Sequence, residues 1–161
     1  PAQAGLLASL ASVGYAFSAT QAGRIMAYFE DPLVPLLATN VAMGGGIGIA
    51  FVAETLSIAY VGATTMGVGF GIMVTLYRSV ITDLAPASLR GGLVSLAEGS
   101  GRMAATVTPI LMGAAIALAT PRIGFVGSVR AVGIAAGAAG GGIGIVCSLA
   151  LRYAPPIRIE E

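Results

Sequence analysis

Thr82 to Ala119 reads TDLAPASLRGGLVSLAEGSGRMAATVTPILMGAAIALA, the one long apolar stretch with both an acid and a base in its interior. Pro86 has no backbone donor and suits a helix start, and Ser88 can cap the turn that follows. The pattern predicts a single helix over residues 88–119. At 1.5 Å per residue it would be about 48 Å long, more than a bilayer core requires. Gly91, Ser95, Glu98, Arg102, Thr106, Pro109 and Gly113 are three or four apart and so share one side. The other sides are Leu, Val, Ala, Met and Ile. A polar stripe on a helix otherwise fit for lipid is expected to face protein or water.

Glu98 and Arg102 give this helix its chemistry. An ion at such a depth costs at least about 2.5–3.5 kcal/mol. Four residues apart, with the acid N-terminal, the two can neutralise each other. One reading is a site for substrate or for a coupling proton. The other is a structural ion pair that locks this helix to a neighbour. Pro109, well inside the helix, predicts a kink: a hinge in a moving protein, a packing irregularity in a static one.

Composition sets the class. The chain of 161 residues is 57% hydrophobic and 9% charged, with a mean hydropathy of +0.93. Soluble domains carry about 25% charged residues, so this is read as an all-α polytopic membrane protein whose first partner is the lipid bilayer. The net charge of +1 leaves no footprint for nucleic acid. The absence of histidine removes imidazole-based metal sites and every catalytic triad that needs one, and no metal, cofactor or enzymatic activity is expected. Cys147 is the only cysteine, so no disulfide forms within the chain, and in its apolar run it reads as a small buried hydrophobe.

Five segments are long enough to span: residues 4–27, 33–53, 56–80, 88–119 and 130–151. The first offers a small face of Gly5, Ser9, Ser12, Ala16, Ala19 and Gly23. The second has Pro35 in its first turn, glycines at 44, 45, 46 and 48, and Asn40, which needs a partner on another helix. The third places Tyr60, Thr64, Gly67, Gly71, Thr75 and Arg78 on one face. The fifth carries Gly133, Gly137 and Gly141, a small-residue spacing that predicts tight packing, as do Gly140 and Gly144. Thr120 to Val129 reads as a short interfacial loop, and residues 152–161 as a polar tail. Gly99, Gly101 and Ala104 mimic a nucleotide-loop pattern but lie inside a helix with no strand before it.

The arginines orient the bundle. Arg24, Arg78, Arg90, Arg152 and Arg158 fall on one side, Arg122 and Arg130 on the other. The side with more positive charge is expected to be cytoplasmic, and with it the C-terminus. Five spans would then begin outside. Together with the apolar opening at Pro1, this predicts further helices upstream.

With these pieces placed, the chain resembles the C-terminal part of a major facilitator superfamily transporter. DLAPASLRGGLVSL is similar to the family's loop between its tenth and eleventh helices, where an acid, a proline and an Arg-Gly precede the eleventh. GRMAATVTPILMGAAI resembles the rhythm of that helix, and GVGFGIMVTLYRSVITDLAP that of the glycine-rich tenth. The resemblance covers nearly the whole chain and makes the five spans helices eight to twelve. It implies Arg24, Asp83 and Arg90 as cytoplasmic gating residues, with Ala27 where the gating motif's aspartate would stand and Glu30 or Asp31 as substitutes. It also implies alternating access around a midplane site, with a missing N-terminal half of the same transporter as partner.

The function expected is secondary active transport of a small solute, by symport or antiport, in the cell membrane. Glu98 is the candidate for proton coupling and Arg102 for an anionic group, with Asn40, Tyr60 and Thr106 lining the cavity. The alternative is a non-transporting membrane subunit or scaffold.

Overall fold

The computed structural model describes residues 2–31 and 33–153. Of these, 92% are helical and none is in a strand. Four helical elements follow one another: α1 (Ala2–Ala27), α2 (Leu33–Val52), α3 (Leu56–Leu84) and α4 (Arg90–Tyr153), the last broken once. Long apolar stretches reach this state because a helix satisfies every backbone group within its own segment. Local chemistry sets the ends. Asp31 Oδ1 accepts from the Leu33 amide at 2.8 Å, and Thr55 Oγ1 accepts from the Ile58 amide at 3.4 Å. The α3–α4 turn closes on the Pro86 carbonyl, which takes the amides of Leu89 and Arg90. The helix therefore begins at Arg90, two residues later than the sequence suggested, and Ser88 stays in the turn.

Among the described residues three helices are long and apolar enough to cross a membrane: Leu33–Val52, Leu56–Asp83 and Arg90–Ala150. α1 is not among them.

Glycine contacts define the topology. Gly46 of α2 lies on Gly62 and Met66 of α3, and Gly69 lies on Thr39 and Met43, so these two helices run antiparallel. Gly67 lies on Ala11 and Gly71 on Tyr15 and Ser18, so α1 runs parallel to α3. Gly133 meets Phe51, Gly137 meets Gly44, and Gly144 meets Asn40, so the second half of α4 runs antiparallel to α2. The packing expected of Gly133, Gly137 and Gly141 is thus realised against α2. Close backbone approach is the main attraction open to helices in lipid, where apolar surface gains nothing by leaving its surroundings. Ala22, Leu36, Ile72 and Leu76 form the buried core, flanked by Ile25, Met26 and Tyr77.

The small face expected on α1 is not the one that packs. Gly5, Ser9, Ser12, Ala16 and Gly23 are exposed, while Gly14, Ser18 and Ala22 are buried. Small residues ring this helix, and the glycines of α3 select which of them become an interface.

α4 is two arms. Gly124 alone leaves helical geometry, with φ 72° and ψ 165°. The first arm, residues 90–123, starts where α3 ends. The second, residues 125–153, starts beside the α2–α3 turn, where Arg130 bridges Glu54 at 3.6 Å, and runs back toward the end where α3 stops. Five helical segments therefore alternate in direction. The loop expected over Thr120–Val129 is absent: those residues are helical, and one glycine accomplishes the reversal because it has no Cβ to oppose a positive φ. Pro109 and Pro121 keep helical dihedrals. Nothing lies within 4 Å of a Cβ added at Gly124, so alanine there would be strained by conformation and not by crowding. Gly124→Ala is expected to lower the unfolding free energy by about 1–3 kcal/mol, measured by SDS titration followed by circular dichroism.

Arg24, Arg78 and Arg90 share the end of the bundle where α1 and α3 stop, and Arg122 and Arg130 lie at the opposite end. Arg158 and the tail from residue 154 lie outside the described residues.

Candidate functional site

Two polar assemblies stand out in this apolar frame. The first joins α3 to the first arm of α4. Arg78 Nη2 meets Glu98 Oε1 at 2.5 Å, with side chains 57% and 39% exposed. The turn brings them together: Arg78 lies about two helical turns before the end of α3, and Glu98 about two turns into α4. The pairing expected between Glu98 and Arg102 is not the one formed. A partner across the hairpin wins over one on the same helix because the turn holds both backbones at bridging distance. Arg102 is exposed and makes no salt bridge among the described residues.

The second assembly sits where α2, α3 and the second arm of α4 meet. Asn40 is 0% exposed. Its Nδ2 donates to the Leu36 carbonyl at 2.8 Å and to Ser148 Oγ at 3.3 Å. Ser148 donates to the Gly144 carbonyl at 2.7 Å, and the Tyr77 hydroxyl lies 3.1 Å from Ser148 Oγ. Asn40 Oδ1 is buried without a partner, pressed against Gly144. Asn40 thus acts as an interhelical clamp, the partner its sequence context required.

The other sequence candidates do not converge on either assembly. Thr106 is exposed and donates to its own helix at the Arg102 carbonyl, 3.0 Å away. Tyr60 is partly buried. Arg24 donates to Gln21 at 3.2 Å, Asp83 accepts from Ser79 at 3.5 Å, and Arg90 donates to the Ala85 carbonyl at 3.0 Å, each within its own neighbourhood. Gly67 and Gly71, on the face of α3 shared with Tyr60 and Arg78, pack against α1. Cys147 is exposed and not buried, because Gly144 and Ser148 occupy the side of α4 that faces α2.

An open groove of about 440 Å³ runs between α2 and the second arm, lined by Asn40, Gly44, Gly48, Gly137, Gly141 and neighbouring apolar residues. Missing glycine side chains create it. Glu98, Arg102, Tyr60 and Thr106 do not line it.

Sequence reasoning missed Tyr77, Ser148 and the pairing of Arg78. Ser148 had a signal, since it continues the Gly137–Gly141–Gly144 face by one turn. The sequence places Arg78 on one face with Tyr60 and Thr75 and among the positive charges of one side, but gives no sign of its partner.

No known family model matches the chain, and no curated protein or solved structure is significantly similar to it.

Proposed function

We propose that this chain is part of a secondary active transporter of the major facilitator kind, moving a small solute across a cell membrane by alternating access. The observation that carries the reading is the first arm of α4. It is an apolar helix whose polar stripe holds an ion-paired carboxylate, Glu98, and, one turn on, an arginine without a salt-bridge partner among the described residues, Arg102. Charges at such positions in membrane helices usually serve a solute or ion path. The alternating direction of five segments, with three arginines gathered at one end, supports a multi-pass chain with that end cytoplasmic. Glu98 carries the coupling proton in this reading, and Arg102 meets an anionic group of the solute.

One observation favours the alternative of a membrane subunit or scaffold: Glu98 is already engaged by Arg78 on the preceding helix, as a docking pair would be. Glu98→Gln separates the two. In proteoliposomes loaded with a pH-sensitive dye, solutes from panels of sugars, amino acids and organic anions are tested for coupled proton movement. Transport predicts a response to at least one solute, lost by at least about a hundredfold in Glu98→Gln at unchanged abundance. A scaffold predicts no response, and reduced abundance of the variant.

A further inference from the structure

The arm that carries Glu98 is poorly held. Every residue from 101 to 111 is exposed. Gly91, Gly92, Gly99, Gly101 and Gly113 have no atom of another segment near an added Cβ. The arm is bounded by the turn at Pro86 and by the break at Gly124, two places where dihedral angles can change without disturbing a helix. Between them, the Arg78–Glu98 pair is its one salt bridge to the rest of the chain among the described residues.

Glu98 has a second arginine within reach. Arg102 lies one turn on, on the same side of the helix, in the favourable order of acid before base. When the arm leaves α3, the carboxylate can turn from Arg78 to Arg102 and is not stranded. Both side chains of the Arg78–Glu98 pair are partly exposed, so opening it costs little and leaves Arg78 accessible while the carboxylate keeps a cation within reach. We infer that Arg78, Glu98 and Arg102 form a charge-exchange latch. Glu98 held by Arg78 keeps the arm closed against α3, and Glu98 held by Arg102 lets it swing out between the Pro86 turn and Gly124. The latch is a property of the arm, whatever the protein moves or holds.

The full chain, with Cys147→Ser to remove the exposed native thiol, is spin-labelled at Ala38→Cys on α2 and Ala105→Cys on the arm, both exposed positions. Distances are read by double electron–electron resonance in lipid nanodiscs. The parent is expected to show a shorter and a longer population. Arg102→Ala removes the competitor and is expected to deplete the longer population by about two- to fivefold. Arg78→Ala is expected to enrich it by a similar factor. The reversed pair Arg78→Glu with Glu98→Arg restores the clasp but puts two arginines four residues apart, so the shorter population is expected to dominate. Arg102 is exposed and makes no salt bridge among the described residues, so Arg102→Ala is expected to fold and tests the exchange even where Arg78→Ala misfolds. An unchanged distribution in Arg102→Ala overturns the exchange, and a single short distance persisting in a folded Arg78→Ala overturns the latch.

Discussion

Gly46→Ala is expected to lower the unfolding free energy by about 3 kcal/mol or more, despite adding only one methyl group. A Cβ at this position would meet the Gly62 carbonyl oxygen and the Met66 Cα at 2.8 Å, and the Met66 amide closer still. All three are backbone atoms of α3, so no rotamer change relieves the clash. The two helices must separate, and that also loosens the Gly69 contact with Thr39 and Met43 along the same seam. For a helix pair in a bilayer no hydrophobic gain offsets such a loss, because separated faces find lipid chains as apolar as the partner they left. Gly45→Ala is the matched control. Nothing lies within 4 Å of its added Cβ, and alanine's better helix propensity should leave stability unchanged or raise it by about 0.5–1 kcal/mol. SDS titrations of both variants measure the difference. Equal effects would mean that α2 and α3 do not approach at Gly46.

The second large effect is expected at Asn40→Asp, about 3–5 kcal/mol of destabilisation. The change is nearly isosteric, so packing is not at issue. Asn40 Nδ2 supplies the hydrogens that reach Leu36 and Ser148, and a carboxylate supplies none. The new oxygen would face the Leu36 carbonyl, acceptor against acceptor, while Oδ1 remains unpartnered against Gly144. No cation is among the hydrogen-bond partners of Asn40, Ser148 or Tyr77 to compensate the charge. Asn40→Leu, of similar volume, removes the polar group altogether and is expected to cost much less, since Ser148 keeps Gly144 and Tyr77 as partners. Unfolding free energies that fall equally for Asp and Leu would show that shape, and not the amide donor, is what this site requires.

Much of the architecture was legible from single residues. Helix type followed from apolar runs that must satisfy their own backbone, and α2 and α3 begin at Leu33 and Leu56 because Asp31 and Thr55 act locally. The glycine face of the second arm was readable too, since small residues four apart on a lipid-suited helix have one main use. The shape of the reversal was not. Gly124 is one glycine among 24, and only its φ shows that it, and no longer loop, turns the chain.

The candidate site divides along the same line. The sequence alone determined that the protein is helical and apolar, that Glu98 and Arg102 share a helix face, and that Asn40 requires a partner, because each is a property of periodicity or composition. Tertiary structure alone decided that Glu98 pairs with Arg78, that Asn40 meets Ser148 and Tyr77, and which small residues of α1 are buried. The physical reason is distance along the chain. Ion pairs and hydrogen bonds select partners by separations in space, and residues 20 or 108 positions apart come within reach only after the helices have chosen their neighbours.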